Sequence, residues 1–515
     1  MSLLLALAAD AGHDQLWLLL AAQRMGGALN PYGPAVFESN PPLAIWLSAL
    51  VVQAARVLHL PLTWTLKAAV LAVAIASACG CRMLLRGTLQ AMTPARRWLL
   101  AIASVLIFGA VPARDFGQRD HILTLLILPY LAVAALELAH RWRPNGGPRR
   151  PNLPSSLPSS LPLRLLVTLP AAAGFALKPH HALTALGVEL AVLLLARPHR
   201  PRLLEPLTLL AAAGAYYAAI RLLAPTYLTQ ILPVLRSTYW AFGHLQLYQL
   251  QLASIPLHLL LLAAVVVEAL RFRRALPART LPLTLILIAA GIGADCAYVA
   301  QGTGWYYQQL PAIGLFALAL TLQLLDLPFA GTPPRWLPAA LAGLTLLALG
   351  LTTYFSDFHL TPRGLEQAQP TPDPAFFANL PAGTAVATLT TSVDDTVPDA
   401  FRYRLTLAQR YPHLWMLPAI LRNQSGPTPA RVIAPARLAE LDRMQHRFMV
   451  EDLERWQPQI VLVERCQDPA VHCQVLEDRH DNLLAWFLRD PAFAAVFSRY
   501  RLVRSSGAYD EYARQ

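Results

Sequence analysis

Charge is scarce in this sequence: only 14% of its 515 residues are Asp, Glu, Lys or Arg. Soluble domains carry about 25%, and a chain with 55% hydrophobic positions and a mean hydropathy of +0.42 lies outside that class. Lysine is almost missing, with Lys67 and Lys178 standing against forty arginines. Five cysteines are too few for a disulfide framework. Cys79, Cys81 and Cys296 fall in apolar runs and read as inert buried thiols. Cys466 and Cys473 lie in a polar region, where one disulfide and two free thiols both remain open, the disulfide requiring an extracytoplasmic setting. No internal repeat is visible, which argues against an inverted-repeat transporter. The same figures exclude disorder, collagen and a disulfide scaffold. The net charge of +12 would suit nucleic acid, yet no basic patch interleaved with aromatics exists, so no nucleic-acid partner is expected.

What is present is apolar runs near the 17–25 residues needed to span a bilayer. They fall near 64–85, 98–113, 121–139, 163–178, 181–196, 203–223, 254–270, 281–300, 308–326 and 336–354. Between them sit basic clusters: Arg82/Arg86/Arg96/Arg97, the arginines from Arg141 to Arg164, Arg197/Arg200/Arg202, Arg271/Arg273/Arg274/Arg279, and Arg335. Placing all of these in the cytoplasm lets the spans alternate without conflict. The opposite side then receives 10–42, 114–120, 224–253, 301–307, a short turn near 179–180 and the C-terminal region. Segment 43–58, opened by Pro41-Pro42, reads as an interfacial helix, and 12–27 as a short polar-flanked helix. Met1 to Ala9 is apolar but too short to cross, and truncation of a longer first helix by the chosen start is the expectation. The stretch 143–163 is a Pro/Ser-rich cytoplasmic loop.

The expected fold is an α-helical polytopic membrane protein of about 10–12 transmembrane helices over 1–355. A small extracytoplasmic α/β domain follows over 356–515, with strands at Thr384–Leu389, Ile460–Val463 and Tyr500–Val503 and a helix over 434–455. The expected location is the inner (plasma) membrane, with the chemistry and the C-terminal domain on the periplasmic side.

Ionisable residues at the ends of membrane helices are functional candidates by default. The outer segments supply Asp10, His13 and Asp14; Glu38; Arg114, Asp115, Arg119, Asp120 and His121; Lys178, His180 and His181; and Trp305, Tyr306, Tyr307 and Gln308. Together they offer carboxylates for base work, cations for an anionic ligand and aromatics for a ring or lipid chain. Bland readings stand beside these: Asp14 as a helix cap, Lys178 snorkelling to the headgroups, and the aromatics as an interfacial belt. Asp295 lies inside a span and needs a partner that the sequence does not identify.

The order of an outer-loop Asp, an amphipathic helix, Glu38-Ser39-Asn40-Pro41-Pro42-Leu43 and then Arg119-Asp120-His121 resembles GT-C-type glycosyltransferases. The nearest group is the protein mannosyltransferase and aminoarabinose transferase branch, which uses polyprenyl-phosphate sugars. The resemblance covers roughly 10–320 and implies a GT-C-like fold. It also implies that Asp14 is the catalytic base or an acceptor-orienting carboxylate, with the base role preferred, and that Asp120 is the second-loop acid. Glu38 is a further candidate catalytic carboxylate. Asn40 stands where the family has a lysine before Pro-Pro-Leu. The donor phosphate is therefore assigned to Lys178, with Arg119 and His121, while Trp305, Tyr306 and Tyr307 line the substrate. The implied reaction moves a sugar from a polyprenyl-phosphate carrier to an envelope glycan, lipid or protein on the outer face. No cofactor is required, and a divalent metal near Asp14 and Asp120 is compatible with the reading. One rival is a transporter or flippase of a lipid-linked substrate, which predicts paired charges near mid-membrane. The other is a non-catalytic envelope assembly protein, which leaves the outer carboxylates without a role.

Overall fold

A computed structural model describes residues 11–141, 160–195, 203–242, 245–273, 279–327 and 376–515, the last with short gaps at 379, 393–395, 426–430, 472, 474–475 and 477–478. The expected span 336–354, Asp10 and most of the 143–163 loop lie outside the described residues. The chain divides into two compact units. The first gathers Trp64–Ala218 and Leu245–Asp357; the second gathers Asp10–Thr63, Ala219–His244 and Phe358–Gln515. The second unit thus combines the C-terminal region with the N-terminal outer segment and part of the 224–253 segment.

Six described helices are long and apolar enough to cross a membrane: Leu62–Leu84, Arg119–Arg141, Leu204–Leu223, Ile255–Arg273, Leu281–Gln301 and Tyr306–Leu325. The protein is a multi-pass membrane protein. Leu161–Leu177 and Pro179–Leu195 are shorter apolar helices, at the lower limit of spanning length. The expected span 98–113 is a helix, Pro94–Val105, that continues into a π turn, Leu106–Ala110. The expected outer loop 224–253 is largely helical, with Leu232–Thr238 and Leu247–Ala253. Cys79 and Cys296 are exposed on the surfaces of their helices rather than buried. Hydropathy marks a residue as able to face either core or lipid, and both thiols face outward.

Two local devices let the helices of the first unit pack closely. Pro129 lies inside Arg119–Arg141 and has no N–H, so the carbonyl of Leu125 loses its helical donor. The Ser77 hydroxyl from Leu62–Leu84 donates to that carbonyl at 2.6 Å. In a bilayer such rescue is obligatory, because no water can supply the bond. Farther along, Gly187 and Gly293 mark the crossing of Pro179–Leu195 with Leu281–Gln301. A Cβ on Gly187 would lie 2.6 Å from the Ala289 carbonyl oxygen, and one on Gly293 would overlap the Leu183 backbone. Small residues are what allow membrane helices to approach this closely. Around the buried length of Arg119–Arg141 packs a core that includes Leu123, Ile127, Leu131, Phe175, Leu287 and Leu315.

In the second unit five strands form one sheet in the order β2-β1-β3-β5-β4: β1 Ala385–Leu389, β2 Thr406–Leu407, β3 Ile460–Glu464, β4 Tyr500–Ser506 and β5 Tyr509–Arg514. β1 pairs in parallel with β2 and β3, whereas β5 runs antiparallel to β3 and β4. β1 and β3 are short, strongly buried runs, as expected of strands covered on both faces. The long helix Pro435–Trp456 follows its expected bounds within a residue or two. Cys466 and Cys473 are joined by a disulfide.

The helix His13–Arg24 is bound into this unit by Arg24. Its guanidinium donates to the backbone carbonyls of Gln409 (2.6 Å), Ala35 (3.2 Å) and Leu407. It also lies 5.1 Å from the centre of the Trp456 ring. Burial lowers its pKa to about 10, against the opposing charge of Asp452. Arg410, just beyond β2, donates to Asp452 at 2.8 Å and to Glu451 at 2.7 Å.

The topology can be checked by labelling. Single cysteines at the exposed positions Ala28, Ser498 and Gln90, in a chain whose three free thiols are replaced by serine, should separate by side. An impermeant maleimide added to spheroplasts should modify Ala28→Cys and Ser498→Cys and leave Gln90→Cys unlabelled. Labelling of Gln90→Cys alongside Ser498→Cys would overturn the arginine-based assignment.

Candidate functional site

In the first unit, Asp120 is the second residue of Arg119–Arg141, where an acid suits the helix dipole. Its side chain is fully buried. One oxygen, Oδ2, lies 2.7 Å from the Lys178 ammonium, and Oδ1 lies 2.9 Å from His181 Nε2. The sequence brings these two partners here by ending a helix abruptly: Leu161–Leu177 gives way to an extended Lys178, and Pro179–His181 forms a 3-10 turn. Lys178 also donates to the side-chain carbonyl of Gln301 at 3.1 Å, and its ammonium sits 4.6 Å from the centre of the Tyr307 ring.

Gln301 is the last residue of Leu281–Gln301. Beyond it Gly302 and Gly304 both adopt positive φ, 73° and 74°, which side-chain-bearing residues rarely take. That reversal delivers Trp305, Tyr306 and Tyr307. Trp305 and Tyr307 contact each other at 5.8 Å, and the Tyr306 hydroxyl donates to the Val111 carbonyl at 3.1 Å. A buried carboxylate costs several kcal/mol unless it is paired and hydrogen-bonded. Asp120 has both kinds of partner, and it holds an ammonium and an imidazole at the end of the helices.

Arg119 is buried beside this network. His121 is not part of it. Its Nδ1 accepts from the Gly117 amide at 3.1 Å and its Nε2 donates to the Phe108 carbonyl at 2.8 Å. Both ring nitrogens are spent on backbone, which fixes a neutral tautomer and leaves neither for a phosphate. These two bonds pin the turn before the helix.

The second unit holds Asp14 and Glu38. Asp14 is partly buried inside His13–Arg24, whose N-cap is Gly12 with Gln15 accepting from the Gly12 amide. Asp14 is therefore not the cap of its helix. Beside it, the His413 ring lies 5.5 Å from His13 and stacks on Phe242 at 4.8 Å. Glu38 is buried and heavily engaged. Oε2 accepts from the Trp17 indole, and Oε1 accepts from Ser39 Oγ (3.0 Å), the Asn40 amide (2.7 Å) and the Asn40 side chain. With four donors Glu38 ties the Pro41-Pro42 turn to the helix of Asp14.

Sequence reasoning missed several partners. Asp295 pairs with His258 at 3.2 Å, a residue 37 positions away that nothing local marks. Gln301 lies four residues before Trp305, and a helix-terminal amide ahead of Gly302 and Gly304 is the visible signal that marks it. Among the described residues, three potential ligand atoms come within 4.8 Å of one another only at Glu464, Cys466 and Cys473. Those two sulfurs are bonded to each other, which removes the thiolates that a metal would need.

No protein-family model matches the chain, and no curated protein matches its sequence. Among solved structures, ArnT from Cupriavidus metallidurans in the apo state is similar at 12% identity, with 98% of this chain and 94% of that chain covered and a TM-score of 0.48. The arabinofuranosyltransferase AftD from Mycobacteria is similar at 15% identity and a TM-score of 0.42. There the match takes in 99% of this chain and 41% of the AftD chain.

Burial, reinforced by His13 and opposed by Asp14, holds the pKa of His413 well below 6.5. A base with a lowered folded-state pKa contributes stability that is complete above its unfolded pKa and is lost as pH falls. Each pH unit below 6.5 should therefore cost about 1.4 kcal/mol until His413 charges. Thermal melts between pH 7.5 and 5 should show this slope, and His413→Phe, which keeps the stack on Phe242, should flatten it. An unchanged slope in that variant would place the acid sensitivity elsewhere.

Proposed function

We propose that the chain is a membrane glycosyltransferase that moves a sugar from a polyprenyl-phosphate carrier to a glycan, lipid or protein acceptor on the extracytoplasmic face. The buried Lys178–Asp120–His181 network at the ends of membrane helices carries this reading. A lipid phosphate leaving group develops negative charge as the glycosidic bond breaks, and preorganised cations are the usual means of stabilising it. Lys178 is such a cation: Asp120 and Gln301 fix its position, and Asp120 offsets the cost of burying it. Tyr307 adds an aromatic face that suits a sugar or polyprenyl group. Arg119 is the second candidate cation, preferred for bidentate phosphate contact.

The resemblance in sequence order assigns the base to Asp14. In this role Asp14 takes the proton of the acceptor hydroxyl while the oxygen bonds to the anomeric carbon. The carrier phosphate departs with the electrons of the broken bond, and the configuration inverts. Asp14 is partly exposed and is not committed to capping, both of which a base requires. The transporter alternative called for paired charges near mid-membrane. His258 pairs with Asp295 near helix ends instead, three residues after Ile255 and six before Gln301.

Transfer assays with purified protein and a polyprenyl-phosphate sugar test the reading. Asp14→Asn should lower turnover by roughly 10²–10⁴ while donor binding persists. Lys178→Ala should raise donor KM by about 10- to 100-fold, the loss of a charge-assisted contact of roughly 1.5–3 kcal/mol. Because Lys178→Ala strands a buried carboxylate, the double variant Lys178→Ala/Asp120→Asn serves as the folded control and should show the same KM defect. Normal turnover in Asp14→Asn would end the proposed base, and an unchanged donor KM in the double variant would end the phosphate role of Lys178.

A further inference from the structure

We propose that His180 contacts the phosphate of the carrier and takes up a proton as that phosphate departs. The proposal rests on the reading of this site as one for a polyprenyl-phosphate sugar, and it adds a residue to that site. In the transfer, the bond between the anomeric carbon and the phosphate oxygen breaks with its electron pair left on that oxygen. A diester with one negative charge thereby becomes a monoester carrying roughly −1.5 to −2 near pH 7. The buried network does not supply a matching positive charge. The Lys178 ammonium lies 2.7 Å from Asp120 Oδ2, so its charge is already offset, and Gln301 accepts from it as well. His181 has both nitrogens engaged, Nε2 with Asp120 Oδ1 at 2.9 Å and Nδ1 with Thr184 Oγ1 at 3.5 Å. Arg119 is buried.

His180 stands where the missing charge is needed. It belongs to the turn Pro179–His181 between the helices Leu161–Leu177 and Ala182–Leu195. Successive side chains of a 3-10 turn point about 120° apart, so with His181 turned in to Asp120 the preceding ring is directed out of the network. His180 is accordingly exposed, and among the described residues no hydrogen bond or ion pair occupies its imidazole. Lys178, His181 and Asp120 all act electrostatically on the ring, so it remains within their field. Imidazole is the side chain that changes charge near neutral pH. Lys178 opposes a proton on it while the phosphate is absent, and a dianion beside Lys178 reverses that balance. The proton comes from solution and returns there when the carrier phosphate leaves, while the proton of the acceptor hydroxyl goes to Asp14.

Binding of polyprenyl phosphate and of the matching polyprenol to the purified full chain in nanodiscs tests the assignment. Wild type should bind the phosphate more tightly than the alcohol. His180→Ala should cut that preference about tenfold, the weight of one charge-assisted hydrogen bond, with polyprenol binding and melting temperature unchanged. His180→Gln keeps an N–H donor but cannot take a proton, and should fall between the two. Calorimetry in two buffers of different ionisation heat should show greater proton uptake on phosphate binding in wild type than in His180→Gln. A preference kept in full by His180→Ala, an equal loss of polyprenol binding, or equal proton uptake in wild type and His180→Gln would overturn the proposal. So would a matching loss of phosphatidylglycerol retention in His180→Ala, which would mark a general headgroup contact. Wild type that binds phosphate and alcohol alike would end the carrier reading and the proposal with it, an outcome set apart because it shows in the unmutated chain.

Discussion

A carboxylate that has left water must find its charge partners within the protein, and the first unit is arranged around one that has. Asp120 is completely buried, and Lys178 and His181 occupy its two oxygens. Meeting that demand explains several otherwise unrelated features. The helix Leu161–Leu177 stops short so that Lys178 can extend toward the carboxylate. Pro179–His181 forms a tight turn that places His181 on the other oxygen. Gln301 ends its helix within reach of the same ammonium, and two glycines with positive φ then turn Tyr307 under it. Removing one member of such a buried pair typically costs 3–5 kcal/mol, so these elements are bound to one another through the charge.

The second unit solves a different problem, which is how to hold the short, polar-flanked helix His13–Arg24 in a fixed orientation. Arg24 does this through three backbone carbonyls, two of them at the end of β2. A guanidinium suits the task because its donors fan out in a rigid plane. Glu38 fixes the other end of the segment by accepting from Trp17 and from the Asn40 turn. Asp14 thus sits on a helix tied at one end to the C-terminal sheet and supported by the segment leading to Pro42–Leu58. The C-terminal region is the scaffold of the N-terminal segment rather than a separate appendage.

Hydropathy and local pattern were enough for elements that are uniform along their length. The apolar helices, the buried strands β1 and β3, and the amphipathic helix Pro435–Trp456 could all be read directly. β5, with the sequence YDEYAR, could not, because its alternation mixes aromatic and charged residues and its pairing with β3 supplies the order. β2 is only two residues long, below any pattern. The residues of the candidate site were mostly legible as types at helix ends, but not as contacts. Nothing in the sequence joins Asp120 to Lys178 rather than to Arg119, or Asp295 to His258. Such pairings are set by helix packing, through close approaches like Gly187 and Gly293, and packing is a property of the whole bundle. The backbone partners of His121 were hidden for the same reason: adjacency to Asp120 drew the eye, while the helix turned the ring to the backbone of Gly117 and Phe108.

The near absence of lysine gives Lys178 a further meaning. With forty arginines against two lysines, the composition supplies guanidinium in the basic clusters between the apolar runs. At 178 the cation must fit between a carboxylate, an amide oxygen and the face of a tyrosine ring at 2.7, 3.1 and 4.6 Å. An ammonium is a compact charge with three donors on a flexible stem, and it can satisfy partners arranged around a point. A guanidinium directs five donors within one plane, so partners on different sides of it would compete for the same edge. The geometry around Asp120 therefore selects the residue that the rest of the chain avoids. That selection is physical evidence that this position differs in kind from the basic clusters between the spans.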